Sequence, residues 1–299
     1  MPHYEADDEN DGASLTDTTQ KEVIQWLFFG GALAGLCGAC LSLLAYACFP
    51  RTRTRQHFAI VNIALSDLVA CAAYLSGELG AHHATVYAGG APLCVGKALA
   101  STLGSLASAA WTTVVAHSLR RIVRGNDERP ISRAASVAFG WGLPAALCAP
   151  GLALGLVGAE SGIFCGVDVN RGQWWALITI ALTIYIPIWL GLLYNAFALY
   201  QVSEYLRCTL RLAESLAGDP AGAVNAESSQ RGSEHAAAIR RRLVELRLYP
   251  MGLLFIWCPP TALMVSEQIV ARPESPINVC LLGAAALTVN LQGLLNAIA

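Results

Sequence analysis

Seven apolar stretches, each long enough to cross a bilayer, divide this 299-residue chain. A membrane-spanning helix needs about 20 mostly apolar residues. The stretches that meet this length are residues 23–49, 58–79, 93–123, 134–157, 174–200, 246–270 and 277–299. Charged residues make up only 13% of the chain, against about 25% in a soluble domain. The sequence therefore predicts an all-α, multi-pass membrane protein with a bundle of seven transmembrane helices.

Positive charge is concentrated in alternate gaps between these spans. Of the 19 Lys and Arg residues, three follow span one, five lie at or after the end of span three, and seven lie at or after the end of span five. Cytoplasmic loops retain Lys and Arg because these residues resist translocation. We therefore expect the N-terminus to lie outside and the C-terminus inside.

Two polar segments flank or interrupt the predicted bundle. Residues 1–22 are acidic and contain no apolar run, which predicts an extracellular tail and no cleavable signal peptide before the seven-helix domain at 23–299. Residues from about 212 to 240 are rich in Ala, Gly, Ser and Glu and contain no Phe, Trp or Tyr, which predicts a disordered third cytoplasmic loop. The basic run Arg240-Arg241-Arg242 follows, either as a simple topology signal or as a docking edge for a cytoplasmic partner.

Two of the ten cysteines differ from the others in position. Cys94 opens span three on the predicted outer side, and Cys165 lies in the outer loop before span five. Both would face an oxidising compartment, so we predict a disulfide between them. Seven of the others lie in apolar segments, where a free cysteine behaves as a small hydrophobic residue. The pair Cys37 and Cys40 has no His or acid nearby, so neither zinc nor redox chemistry is predicted there.

Asp67 is the one carboxylate near the middle of a span. A charge at that depth is costly and usually faces the interior of the bundle. The alternative is a neutral, hydrogen-bonded structural carboxyl. Span six contains prolines at 250, 259 and 260, and because each removes a backbone donor and bends the helix, this span is the best candidate for a moving element.

The sequences of four spans resemble those of a known receptor family. Span five contains Tyr185-Ile-Pro-Ile-Trp-Leu-Gly-Leu-Leu-Tyr-Asn195, span six contains Trp257-Cys-Pro259-Pro-Thr, and span seven contains Gln292-Gly293-Leu-Leu-Asn296; Trp111-Thr in span three also fits. With seven spans and this orientation, the chain resembles G-protein-coupled receptors, most closely the cyclic-AMP-receptor-like (class E) family. The resemblance implies a plasma-membrane receptor with no enzymatic activity, no cofactor and no nucleic-acid partner.

The resemblance also implies roles for particular residues. Asp67 would bind sodium, with Ser108 and Asn296 as its polar neighbours. The cytoplasmic partner would be a heterotrimeric G protein facing the five arginines Arg120, Arg121, Arg240, Arg241 and Arg242. Receptors of the rhodopsin-like class carry an acid before the arginine in span three, whereas this chain has none there, so any inner contact between helices is built differently. The pair Arg120-Arg121 could equally be a plain topology signal.

A ligand and a switch follow from the same resemblance. Trp257 and Pro259 would form the switch in span six, packing against spans three and five near Trp111 and Pro187, and Gln292-Gly293 would let span seven pack closely beside span six. The extracellular ligand is unidentified, and a cyclic nucleotide is one candidate because a phosphate would favour outer cations. Those cations are Lys97, Arg171 and Arg272, which could equally be solvated rim charges.

Three other functions compete with the receptor. A retinal protein needs a lysine in span seven, and the chain has no lysine after Lys97, so we reject it. A seven-helix transporter could use Asp67 and His117 as proton sites, although the chain has no internal repeat. A membrane scaffold that does not couple to G proteins also stays open.

Overall fold

The computed structural model describes residues 11–49, 55–78, 92–124, 132–160, 164–167, 174–217, 252, 254–266 and 276–298, and nearly all of them are helical. The helices are α1 (Asp11–Cys48), α2 (Arg55–Glu78), α3 (Pro92–Val123), α4 (Arg133–Ala153), α5 (174–217), α6 (Leu254–Ser266), α7 (Pro276–Asn290) and α8 (Gln292–Ile298). The single residue Leu291 separates α8 from α7. Strands β1 (Val157–Glu160) and β2 (Phe164–Val167) form one antiparallel hairpin.

The outer surface of these helices is apolar. Trp26, Leu41, Leu44, Leu190 and Leu193 are each between 58% and 70% exposed. Exposing so many large apolar side chains to water would be costly, because each would forgo the free energy of about 1.5–3 kcal/mol that is gained when such a side chain leaves water. Five helices, α1 to α5, are long and apolar enough to cross a bilayer, while the described parts of the last two predicted spans are shorter apolar helices. The chain is therefore a helical membrane protein, as predicted.

Two helices extend beyond the predicted spans. Helix α1 begins at Asp11, so the second half of the predicted N-terminal tail is helical. Helix α5 continues to Ala217, into the segment predicted as a disordered loop. Residues 212–217 read Leu-Ala-Glu-Ser-Leu-Ala and are mostly strong helix formers, which explains the extension.

A short β-hairpin follows α4, while nearly all the other described residues are helical, as predicted. Helix α4 ends at Ala153, and Gly155 adopts a positive φ of 65° just beyond it. The Gly155 N–H donates to the Leu152 carbonyl, and the Leu156 N–H donates to the Gly151 carbonyl. This is the Schellman pattern that ends a helix at glycine. The chain then enters β1, whose Val157 pairs with Val167 of β2, and the hairpin packs against the first turns of α3.

Two π-helical turns lie just before prolines of α4 and α5. Helix α4 contains one at Ala138–Gly142, just before Pro144, and α5 contains one at Ala181–Tyr185, just before Pro187. A proline ring in a helix clashes with the carbonyl four residues earlier. The wider π turn relieves that clash, because its hydrogen bonds join residues five apart. Here these bonds run from the Leu143 N–H to the Ala138 carbonyl and from the Ile186 N–H to the Ala181 carbonyl.

Glycines on one face of α1 allow a close approach to α7 and α8. A Cβ atom added at Gly31 or Gly35 would collide with Asn290, and one added at Gly38 would collide with the backbone of Gly293 and Leu294. Small residues spaced in this way let membrane helices approach until their backbones touch. We call Gly31, Gly35 and Gly38 the α1 glycine face.

A hydrogen bond between α6 and α7 compensates for a proline. Pro260 has no N–H, so the Ile256 carbonyl loses its usual helical donor. The Thr288 hydroxyl of α7 donates to that carbonyl oxygen at 3.2 Å. In lipid every freed backbone group needs such a partner, since no water is available.

We expect the substitution Thr288→Val to lower the free energy of unfolding by about 1 kcal/mol, the usual worth of one such bond in a membrane protein. Valine keeps the shape of threonine but cannot donate. Reversible unfolding in mixed micelles measures the change. Thr209→Val is the matched control, because its hydroxyl only bonds the Tyr205 carbonyl of its own helix. Equal losses in both variants would contradict the role assigned to Thr288.

Candidate functional site

A buried polar network joins α2, α3 and α8. The Asn296 amide donates to the Asp67 carboxylate, with 2.8 Å between Nδ2 and Oδ2. The Gln292 amide donates to the Ser108 hydroxyl at 2.8 Å, and the Ser108 side chain interacts with Asp67. Asp67 is 4% exposed and Ser108 is fully buried. The structure therefore brings together the three predicted core residues and adds Gln292 to them.

The network contains oxygen atoms of the kind that hard cations prefer, and the amide N–H groups of Asn296 and Gln292 donate to two of them. The Asp67 carboxylate and the Ser108 hydroxyl supply two kinds of oxygen ligand. Asn290 lies beside Cys71, one turn along α2 from Asp67, where the Cys71 thiol approaches the Asn290 carbonyl at 4.0 Å. The side-chain oxygen of Asn290 is buried and has no hydrogen-bond partner among the described residues. Sodium binding at Asp67 stays a prediction, and the unpartnered oxygen of Asn290 is a buried polar atom that the sequence interpretation did not consider.

Trp257 lies in an apolar cluster between α3, α5 and α6. It is 5% exposed and packs with Leu106 of α3 and with Ile188 and Leu192 of α5. These are the two spans predicted to contact it. Trp111, which the sequence interpretation placed at comparable depth, packs in a separate cluster with Ala59 and Ile63 of α2. Two residues at comparable depth can therefore belong to different clusters, because depth along a helix does not specify the direction in which a side chain points.

Trp111 also contacts α4. Gly140 lies directly under its indole ring, where an added Cβ atom would collide with the ring. Gly140 belongs to the π turn of α4. Nearby, the Trp141 indole N–H donates to the Asn62 side-chain oxygen at 2.9 Å. Trp111 therefore stabilises the contact between α2, α3 and α4 rather than the predicted switch.

Gly293 packs closely against α1. A Cβ atom at this position would collide with the backbone of Gly35. Gln292 bonds Ser108 of α3, and the role of Gln292 and Gly293 in close packing of spans six and seven stays a prediction. The glycines of α1, which the sequence interpretation did not use, were the missing signal for the contact of Gly293 with α1. Spans six and seven are joined through Thr288 and through Ser266, whose hydroxyl lies 2.6 Å from the Asn278 side-chain oxygen.

Helix α5 is also joined to α6, above Trp257. The Tyr185 hydroxyl donates to the Pro260 carbonyl at 3.3 Å, and the Trp189 indole N–H donates to the Thr261 hydroxyl at 3.2 Å. The Thr261 hydroxyl in turn donates to the Trp257 carbonyl at 2.7 Å. Pro259, the predicted hinge, lies inside α6 between these bonds. The aromatic positions of the span-five motif therefore hold the segment of α6 that contains the prolines.

At the predicted inner end, α5 holds the side chain of Arg120. The Arg120 Nε–H donates to the Gln201 side-chain oxygen at 2.7 Å, and its guanidinium also donates to the Tyr194 hydroxyl at 3.4 Å. The same guanidinium lies 4.9 Å from the centroid of the Phe197 ring, in cation–π geometry. The Tyr194 hydroxyl also bonds Nδ1 of His117. We call this contact the α3–α5 clamp; it contains no carboxylate among the described residues.

The structure describes only part of the predicted extracellular side, where the disulfide and the ligand-binding cations were expected. Cys94 is fully buried and disulfide-bonded, and it packs with Ala98 and with Val157 of β1. Cys165 lies in β2, which packs against α3, but its side chain is outside the described residues, so its pairing with Cys94 stays a prediction. Lys97 is half-buried in the first turns of α3. The other predicted cations lie outside the described residues: Arg171, Arg240, Arg241, Arg242 and Arg272.

Comparison with known proteins does not extend this description. No protein-family model matches the chain, and no curated protein matches it. The resemblance to cyclic-AMP-receptor-like receptors therefore depends on the motifs in spans three, five, six and seven.

Proposed function

We propose that the chain is a seven-helix receptor of the plasma membrane, with its N-terminus outside, that passes an extracellular ligand signal to a cytoplasmic heterotrimeric G protein. The observation that carries the proposal is the buried network of Asp67, Ser108, Gln292 and Asn296, which ties α2, α3 and α8 together at one place. Groups of this kind inside a membrane are expensive and usually functional. Sodium is the proposed ligand of this network.

The proposed activation involves α6. Its prolines remove helical hydrogen bonds, and side chains of α5 and α7 replace some of the lost contacts. A ligand that binds more tightly when α6 is displaced would shift the population toward that state. Release of Arg120 from the α3–α5 clamp would then make its guanidinium available to the G protein. Lys97 and the outer hairpin lie on the side of the proposed ligand.

The test of coupling is a G-protein dissociation assay in cells that express the full chain. Resonance energy transfer between Gα and Gβγ is followed for each Gα class, with and without cyclic nucleotides. We expect a lower transfer signal than in cells lacking the receptor, either basally or after a ligand. Unchanged transfer with every Gα class and every ligand, at verified surface expression, would favour the non-coupling scaffold.

We expect Trp257→Phe to change G-protein dissociation per receptor by at least about threefold while largely preserving surface expression. The indole N–H of Trp257 has no hydrogen-bond partner among the described residues, so phenylalanine removes only ring volume. That loss costs a few kcal/mol at most. The measurement is dissociation normalised to receptor number at the cell surface.

Trp111→Phe is the matched control for this variant. Trp111 is also buried and its indole N–H likewise has no described partner, but it packs in the cluster between α2, α3 and α4. We expect it to lower expression without changing dissociation per receptor. If the two variants behave alike, Trp257 is a packing residue and the proposed switch is wrong.

A further inference from the structure

A deep groove lies between α3, α4 and α5, away from the polar network. Its volume is about 940 Å³, within the range of ligand sites. Small residues leave the space open, with Ala109 and Ala110 on α3 and Gly191 on α5. Phe139 and Leu190 line the groove and are also exposed on the surface of the bundle, at 41% and 61%. The groove therefore opens toward the lipid.

The polarity of the groove changes along its length. The walls toward the membrane interior are apolar, from Leu106 and Leu147 to Pro187. One end carries His117, Arg120 and Arg121, and none of the described lining residues is acidic. This end belongs to the side of α3 that the positive-inside rule assigns to the cytoplasm.

The arrangement matches one kind of molecule. A long apolar channel fits an acyl chain, and two guanidinium groups at its mouth fit a phosphate. Arg120 uses only part of its five-donor guanidinium on α5, through its bonds to Gln201 and Tyr194. Basic pockets between transmembrane helices on the cytoplasmic side bind anionic lipid head groups.

We propose that this groove binds an anionic phospholipid of the cytoplasmic leaflet, with one acyl chain between α3, α4 and α5 and the phosphate at Arg121 and Arg120. The proposal relies on the membrane orientation of the proposed receptor but not on coupling to a G protein. Because Arg120 also forms the α3–α5 clamp, bound lipid would stabilise the clamped arrangement.

The test uses the full chain in nanodiscs of phosphatidylcholine with increasing fractions of phosphatidylserine. We expect the thermal midpoint of the protein to rise with the anionic fraction. Arg121→Gln should require a roughly fivefold higher fraction for the same rise, the effect expected of one basic residue near an anionic surface. Ala110→Phe, which fills the groove, should also weaken the response.

Arg124→Gln is the matched control, since Arg124 is an exposed arginine one turn beyond Arg120 and does not line the groove. We expect its response to phosphatidylserine to equal that of the wild type. If Arg124→Gln and Arg121→Gln weaken the response to phosphatidylserine equally, the response depends on general surface charge and the proposal is overturned. The proposal is also overturned if Ala110→Phe responds to phosphatidylserine as fully as the wild type. It is likewise overturned if water-soluble glycerophosphate raises the thermal midpoint equally in phosphatidylcholine nanodiscs. Because lipid binding is measured without a G protein, failure of coupling would leave this result intact.

Discussion

Replacing Gly35 with alanine is expected to lower the free energy of unfolding by about 1–3 kcal/mol, the usual cost of overpacking a close contact. The added methyl group would enter the space of the Asn290 backbone and the Cys71 sulfur. Backbone atoms of a packed helix cannot rotate away, so α1 and α7 must separate. The destabilisation is measured by heating samples to a series of temperatures and following the loss of the monomer peak in size-exclusion chromatography.

Gly30→Ala provides a control on the same helix. An added Cβ at Gly30 meets nothing within 4 Å. Glycine costs a helix about 0.5–1 kcal/mol relative to alanine, so this change should be neutral or stabilising. The two substitutions are chemically identical and should act in opposite directions. Destabilisation by both would mean that the α1 glycine face does not make the contact described.

We expect sodium to raise the thermal midpoint of the wild-type protein and Asp67→Asn to abolish that rise. Asparagine keeps the shape of the side chain and an oxygen for the Asn296 amide, but it removes the negative charge that attracts a cation. The measurement compares sodium chloride with choline chloride at equal ionic strength. Asp67→Asn should itself change stability by no more than about 1 kcal/mol, because the hydrogen bond is largely retained.

Glu204→Gln serves as the control for removing a carboxylate. Glu204 is on the exposed face of α5, where it pairs with Arg207 at 2.6 Å. Exposed ion pairs contribute roughly 0–1 kcal/mol, so its loss should leave the sodium effect unchanged. A sodium effect that persists in Asp67→Asn would refute the proposed site. An Asn290→Ala variant with weakened sodium dependence would add that residue to the ligands.

Sequence reasoning could find the polar core because burial of charge in lipid leaves few choices. Asp67 in mid-span must meet polar partners, and only a few polar side chains lie at its depth. The resemblance to G-protein-coupled receptors then indicated Ser108 and Asn296 as the polar neighbours of Asp67. The same logic predicted which helices surround Trp257, since a large ring near the middle of span six faces its neighbours.

Rotation about a helix axis was harder to predict than depth. The close contact of Gly293 with α1 was not foreseen, because a short motif does not fix the direction of a side chain in the bundle. The α1 glycine face provides that information for Gly293, since it draws α8 toward α1. Thr288 could not be recognised from the sequence, because its role depends on a carbonyl freed by Pro260 in another helix.

The two π turns change how α4 and α5 should be drawn as helical wheels. Each turn adds one residue to a helix of 3.6 residues per turn, so the positions after it are rotated by about 100° from an uninterrupted wheel. Residues before Ala138 and after Gly142 therefore follow two different wheels. A substitution scan along α4 or α5 should show its tolerant, lipid-facing stripe break and resume with this offset. When solvent or lipid accessibility is measured residue by residue along either helix, the segments before and after the π turn should each be fitted with their own helical wheel.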